Sequence, residues 1–339
     1  MSNRVLPALA LFAASIFLTA CNGGFTLISP PNSAYSGQQL YVACTACNGT
    51  KGVSGVYGYA TNSSSATVTS SLTAPASTFW QAMQIDPTGN IYVISQNALS
   101  PYNQSLSVYA AGSTGTATPT RTVTSSFITN DDFDAGTVGP DGTLYYLDDS
   151  KGFESFGPTA GTNATVTATN TALNAAGFST GAVDSLGNLY VLTYAGTIGM
   201  LPAGFTSSTP LVQITLGGGT PRYLEGISFD SSNNIYIMGK GTGSSTTGDY
   251  LTEIPHTTTT GTVTPTRVLT LTGTYAWEYT VAFDSSNNIY SVATTTPTIV
   301  INEYSASAAT GTTPTPINTI TTTLVDDSNV YTRQSIAIH

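Results

Sequence analysis

The chain has 339 residues, of which only 8% are charged and 40% hydrophobic, with a net charge of −10 at neutral pH. That length suits two average domains or one large all-β domain. Its eight Lys and Arg are scattered and cannot form the clustered basic face that nucleic acid needs, so a nucleic-acid partner is excluded. Thr, Ser, Gly and Asn supply the polar surface in place of charge, a palette that favours strands and turns over helices. No amphipathic helical period follows the N-terminal segment.

Residues 1–21 read MSNRVLPALALFAASIFLTAC. Arg4 gives a positive start, and Val5 to Phe17 form an apolar run too short for a stable bilayer anchor. Leu18-Thr19-Ala20-Cys21 then places small residues ahead of a cysteine. This resembles a bacterial lipoprotein signal. The resemblance implies cleavage after Ala20 and attachment of lipid to the Cys21 sulfur, whose thiolate is the nucleophile. A plain secretory leader with an incidental cysteine is the alternative. On the lipoprotein reading, residues 1–20 are signal peptide, and 21–33, with Pro30-Pro31, are the lipidated cysteine and a tether. The protein is then expected on the bacterial cell envelope, bound to the membrane by its lipid. Asn22, in place of the aspartate of many inner-membrane lipoproteins, favours the outer membrane or cell surface.

From residue 34 onward one pattern recurs. SGQQLYVA at 36–43 carries its first copy, with Leu40-Tyr41-Val42 as a strand after a turn. Cys44-Thr45-Ala46-Cys47 follows, and in an exported compartment Cys44 and Cys47 are expected to close a small disulfide loop. Haem attachment would need His where Asn48 stands, and zinc would need two further ligands. A redox role is the alternative. The pattern returns as IDPTGNIYV (85–93), VGPDGTLYY (138–146), VDSLGNLYV (183–191) and FDSSNNIY at both 229–236 and 283–290. Each copy has an apolar run, an Asp (Gly139 in one copy), turn residues, a Gly or Asn, and a second apolar run. That is a tight hairpin. An aspartate such as Asp86 or Asp230 can accept backbone N–H groups, and Pro87 presets φ. Gly89, Gly142, Gly187, Asn233 and Asn287 stand where a positive φ is expected. The strand after each turn is apolar on both faces, so both faces are expected to be covered.

A second pattern lies between the tyrosines. Ser107-Val108-Tyr109, Thr252-Glu253-Ile254 and Asn302-Glu303-Tyr304 are each followed by a Thr/Gly/Pro stretch and another strand. The stretches read as solvated connectors. At the C-terminus, Ser335-Ile336-Ala337-Ile338-His339 matches Gly226 to Asp230 and Thr280 to Asp284. This is the strand before the turn, which the first unit lacks.

Each unit is thus four short antiparallel strands, A to D in chain order. Tyr41, Tyr92, Tyr145, Tyr190, Tyr236 and Tyr290 mark six units roughly 50 residues apart. The expected fold is all-β: a six-bladed β-propeller over 34–339, closed by the C-terminal strand completing blade one. An open solenoid or two sandwiches would not explain the matching ends. The pattern D-x-x-(G/N)-N-(I/L)-Y-V resembles the NHL-repeat propellers over nearly all of 34–339. Their wider group includes the SMP-30/gluconolactonase-like hydrolases, the paraoxonases and the quinoprotein sugar dehydrogenases. The resemblance implies the fold and does not choose among activities. Two histidines in the chain count against the quinoprotein dehydrogenases, which rely on a His base.

Propeller sites form where the innermost strands open into the channel. The aligned strand A copies put Gln81, Asp134, Ser179, Glu225, Tyr279 and Gln334 at one level. The residues before them are Trp80, Phe133, Phe178, Leu224, Glu278 and Arg333. The channel-mouth candidates are therefore Trp80, Gln81, Asp134, Glu225, Glu278, Tyr279, Arg333 and Gln334, with Trp80, Trp277 and Tyr279 as anchors. Asp134, Glu225 and Glu278 could hold a hard cation such as calcium. The group's calcium hydrolases use channel carboxylates with an Asn, and here the ring offers Gln, so no ligand set carries over. Polar channel groups with water are the alternative. No catalytic residue is assigned. His256 and His339 are expected at surface or turn positions, and G-x-S-x-G is absent. The expected function is an exported, lipid-anchored binding or scaffold module for an unknown protein or small-molecule ligand. The alternative is a calcium-dependent hydrolase of the lactonase type.

Overall fold

The structure, a computed structural model, describes residues 38–44, 54–61, 67–75, 78–86, 88–97, 104–126, 128, 134–148, 152–171, 178–193, 196–218, 223–240, 249–271, 281–295, 298–325 and 334–339. The regular elements among them are all β-strands. Blade 1 holds β1 (Gln39–Cys44), β2 (Gly55–Ala60) and β3 (Ser70–Thr73), and blade 2 holds β4 (Thr78–Ile85), β5 (Ile91–Asn97), β6 (Gln104–Tyr109) and β7 (Arg121–Val123). Blade 3 is β8 (Asp134–Val138), β9 (Leu144–Asp148), β10 (Gly152–Phe156) and β11 (Ala168–Asn170). Blade 4 is β12 (Phe178–Val183), β13 (Leu189–Thr193), β14 (Thr197–Leu201) and β15 (Val212–Leu216). Blade 5 is β16 (Tyr223–Phe229), β17 (Ile235–Lys240), β18 (Asp249–Ile254) and β20 (Arg267–Leu271), with β19 (Gly261–Val263) in its C–D loop. Blade 6 is β21 (Val281–Phe283), β22 (Ile289–Thr295), β23 (Thr298–Tyr304) and β24 (Asn318–Val325). The last strand, β25 (Gln334–Ile338), joins blade 1.

Six sheets of antiparallel strands therefore form a closed ring, as the repeat predicts. The strands at the A position touch in a circuit, β25 to β4, β8, β12, β16, β21 and back to β25. β25 pairs with β1 from Leu40↔Ile338 to Cys44↔Gln334, so the end of the chain supplies the innermost strand of the blade that its beginning starts.

The apolar core is six wedges, one between each pair of neighbouring blades. Strand alternation explains them, because successive side chains point to opposite faces. In β5, Tyr92 and Ile94 face blade 3, while Ile91 and Val93 face blade 1. In β17, Tyr236 and Met238 face blade 6, and Ile235 and Ile237 face blade 4. The motif tyrosine points to the following blade in all six units. Its ring meets aromatic partners there: Tyr190 lies 5.2 Å from Phe229, and Tyr236 lies 4.5 Å from Phe283. A repeat of (I/L)-Y-(V/I) is thus a strand packed on two sides by different neighbours.

The C–D loops are solvated, as their composition predicts, but they are also seated. Those of blades 2 to 6 bond to the strand D region of the preceding blade. Gly115 exchanges backbone hydrogen bonds with Ser71 and Thr73 of blade 1. Thr124 of blade 2 bonds Gly161 and Ala164, Thr270 of blade 5 bonds Thr312, and β19 pairs in parallel with β15 of blade 4. Side chains reinforce the seam. Arg121 donates to Pro158 O and Ala160 O, Arg267 to Ala306 O and Ala308 O, and Asn170 to Thr206 O and Thr209 O. These contacts satisfy strand edges that would otherwise be open.

Ile336 of β25 is 6% exposed in the wedge between blades 6 and 1. Ile336→Ala is expected to cost about 2–5 kcal/mol in urea unfolding. A cost near zero would mean that the closing strand does not hold the ring.

Candidate functional site

The two ends of the ring differ. At one end lie the A–B turns and C–D loops. At the other, the mouth end, lie the B–C and D–A connections.

The A–B turns are built around the repeated aspartate. Asp86 Oδ1 accepts the backbone N–H of Thr88 and of Asn90, both at 2.9 Å. Its Oδ2 accepts Asn90 Nδ2 and the Tyr92 hydroxyl, each at 2.9 Å. Asp230 and Asp284 repeat the arrangement with Asn234 and Tyr236, and with Asn288 and Tyr290. In blade 3, where Gly139 takes the aspartate position, Asp141 accepts Thr143 N and Oγ1 instead. The five positions expected at positive φ have it, from 60° at Asn287 to 87° at Gly187. Burial raises the Asp86 pKa, but the hydrogen bonds from Asn90, Thr88 and Tyr92 outweigh it, and the carboxyl ends below its usual value. Burial, with the Asp86 charge beside it, pushes Tyr92 up to about 12.

Asn rather than Gly at the positive-φ position has a further use. Asn233 Oδ1 accepts Ser185 N at 3.1 Å, and its Nδ2 donates to Ser185 Oγ at 2.7 Å, tying the blade 4 and blade 5 turns. Ser231 Oγ donates to Asn287 Oδ1, and Ser285 N donates to Gln38 Oε1. The tie thus runs through blades 4, 5, 6 and 1. In blades 2 and 3, Pro87 and Pro140 lack the donor, and Gly89 and Gly142 lack the acceptor.

Both histidines serve turns. His256 Nε2 lies 2.9 Å from Asp184 Oδ2 and 3.1 Å from the Tyr190 hydroxyl, joining the blade 5 C–D loop to the blade 4 turn. His339 takes the place of the turn aspartate in blade 1 and is 6% exposed, so it is buried rather than a surface residue. Its imidazole packs against Gly89, where a Cβ would come within 3.2 Å of the ring.

At the mouth end, strand A is bulged at the aligned level in three blades. Gln81 is the extra residue between the Trp80↔Ser95 and Ala82↔Ile94 pairs. Ser179 holds that place in β12, and Glu225 in β16. Bulges gather near binding sites because they re-aim a side chain. Nothing in the spacing foretold them, since the aligned residue stands equally far from its turn in every blade. Asp134 and Gln334 begin their strands in register, opposite Asp148 and Cys44.

Trp80 is 3% exposed, packs on Tyr109 at 5.6 Å, and donates its backbone N–H to Ser54 Oγ at 3.1 Å. Its ring therefore belongs to the wedge between blades 1 and 2. Glu225 is 6% exposed. The side chains of Gln81, Asp134 and Gln334, and the residues Glu278, Tyr279, Arg333, Trp277, Cys21 and Cys47, lie outside the described residues. Cys44 is disulfide-bonded and buried. Among the described residues no group of three His, Cys, Asp or Glu is arranged to hold a metal, and of the three carboxylates expected for calcium only Glu225 has a described side chain.

Several described charges of the turn end are engaged. Asp86, Asp184 and Asp230 are buried in their turns, and Glu253 pairs with Arg267 at 2.7 Å. In the sequence, Lys51, Lys151, Arg222 and Arg333 stand between a B and a C strand or between a D and an A strand, outside the described residues, and Lys240 ends β17. The acidic pairs Asp131-Asp132, Asp148-Asp149 and Asp326-Asp327 stand in or beside the same stretches.

No protein-family model and no curated protein matches the chain. Among solved structures it is similar to a protein of unknown function from Bacteroides caccae, at 10% identity and a TM-score of 0.53, over 89% of this chain and 99% of that one. A luciferin-regenerating enzyme is more distant, at 13% identity, a TM-score of 0.42 and coverage of 62% and 68%. So is regucalcin, a calcium-binding protein from Agrobacterium tumefaciens, at 9%, 0.35, and 49% and 55%. The first likeness agrees with the propeller fold; the other two are too remote to add to it.

The low pKa of Asp86 fixes a pH dependence. A carboxyl depressed on folding stabilises above its unfolded value, about 3.9, and that stability is lost as pH falls through the folded value. Asp86→Ala is expected to cost about 1–3 kcal/mol near neutral pH. In urea titrations at stepped pH, the gap from the parent chain is expected to close only below the unfolded value.

Proposed function

We infer that the protein is a binding module: an exported propeller, lipid-anchored at Cys21 in a bacterial envelope, that presents its mouth end to a ligand. The division of charge between the two ends supports this most. The charged side chains of the turn end are largely engaged in building turns. Most of those assigned to the mouth end stand, in the sequence, on the stretches that join one strand to the next. A rigid ring carrying variable connections around an opening is a common basis for recognition. Glu225, Asp134 and Arg333 supply charge in this reading, and Trp277 and Tyr279 supply aromatic anchors. The ligand is a protein or small molecule of the envelope.

A calcium-dependent hydrolase of the lactonase type is the second reading, with Asp134, Glu225 and Glu278 as oxygen ligands. Its support is the buried Glu225 at a bulge of an innermost strand. One pair of measurements separates the two. In the chain lacking residues 1–21, the hydrolase reading expects calcium to raise the melting temperature, and Glu225→Gln to abolish the rise. The binding reading expects no calcium shift. It also expects that combined Asp134→Asn and Arg333→Ala substitutions weaken capture of an envelope component while leaving the melting temperature unchanged.

A further inference from the structure

The chain enters and leaves the ring at one place. Gln39 holds the position that Asn90, Asn188, Asn234 and Asn288 hold in four of the other five turns and Thr143 in the fifth, and His339 holds that of the aspartate. The backbone pair Gln39 N to His339 O at 2.8 Å and His339 N to Gln39 O at 3.0 Å replaces the closing pair of a turn, such as Asp284 N to Asn288 O at 3.2 Å. The turn of blade 1 is therefore cut open, and residues 1–37 join the propeller at its turn end.

Two other observations concern the same end. The large hydrophobic side chains that stand exposed among the described residues are Leu186, at 62%, and Ile317, at 58%. Leu186 sits in the blade 4 A–B turn. Ile317 closes the blade 6 C–D loop, its N–H bonded to Glu303 O. The acidic groups of three turns are also withdrawn, with Asp184 1%, Asp86 7% and Asp230 8% exposed, which leaves Asp141 of the blade 3 turn as the exposed turn carboxylate. An anionic lipid surface repels exposed carboxylates and accepts a face that has withdrawn most of them and bears a few apolar side chains.

We propose that the turn end of the propeller rests on the phospholipid surface, with Leu186 and Ile317 at the contact, so that the mouth end points away from the membrane. The inference rests on the lipid anchor at Cys21 proposed above. Residues 22–37 separate that cysteine from Gln38. Fully extended they reach about 55 Å, and as a flexible coil they average about 22 Å end to end. A tether of sixteen residues holds the entry point within reach of the bilayer, and the character of the two faces selects which of them meets it.

The test uses the full chain, matured in cells and reconstituted in vesicles of phosphatidylethanolamine and phosphatidylglycerol that carry a quencher-labelled phospholipid. A fluorophore is placed through Ser207→Cys, exposed in the blade 4 C–D loop, or through Asn97→Cys, exposed at the mouth end of β5. Quenching is expected to be several-fold stronger at position 207 than at 97. Adding Leu186→Ser and Ile317→Ser is expected to narrow the difference. Equal quenching, or stronger quenching at 97, in protein that still floats with the vesicles overturns the orientation and leaves the anchor standing. A Cys21 that carries no lipid by mass spectrometry, in a chain that does not float, overturns the anchor and the orientation with it.

Discussion

The structure depends on packing between blades rather than within them. A single four-stranded sheet has two faces and nothing to cover either. Here each strand at the B position sends its tyrosine toward the next blade and its flanking aliphatic residues toward the previous one. Burial on both faces is possible only if the series returns to its beginning. The pairing of β25 with β1 is what removes the two ends. The very low content of charge follows from the same constraint, because most strand positions face a neighbour.

Much of this was legible in the sequence because the constraint acts locally. The Asp, the Gly or Asn, and the Tyr lie within a few residues of each other, so one turn spells itself out each time. The match between residues 335–339 and the strands that precede other turns foretold closure. The bulges at Gln81, Ser179 and Glu225 were not legible, since a bulge changes pairing without changing the number of residues to the turn. The burial of Trp80 and the seating of the C–D loops were also hidden. Gly115 meets Ser71, and Arg267 meets Ala306, across distances in the chain that no short motif spans. Composition foretold that these loops face water but not that their backbone is paired, because Thr and Gly serve both.

The sequence named candidates for the mouth, and the structure describes the side chains of few of them. The residues aligned along strand A are bulged in blades 2, 4 and 5 and paired in register at Asp134 and Gln334, so equal spacing does not give them equal settings. Trp80 is taken up by core packing, and Glu225 is buried close to the axis. His256 shows the converse: a residue with catalytic potential whose hydrogen bonds to Asp184 and Tyr190 hold two blades together.

The seating of each C–D loop against its neighbour limits how a partner can bind. Many β-proteins capture extended peptides by letting them hydrogen-bond to a free lateral strand, so that the guest becomes one more member of the sheet. In blades 1, 4 and 5 that place is partly taken by the protein's own backbone, through a three-residue ladder in blade 4 and a single bridge in blades 1 and 5. A guest strand at those edges would have to displace this backbone, which favours recognition through side chains there.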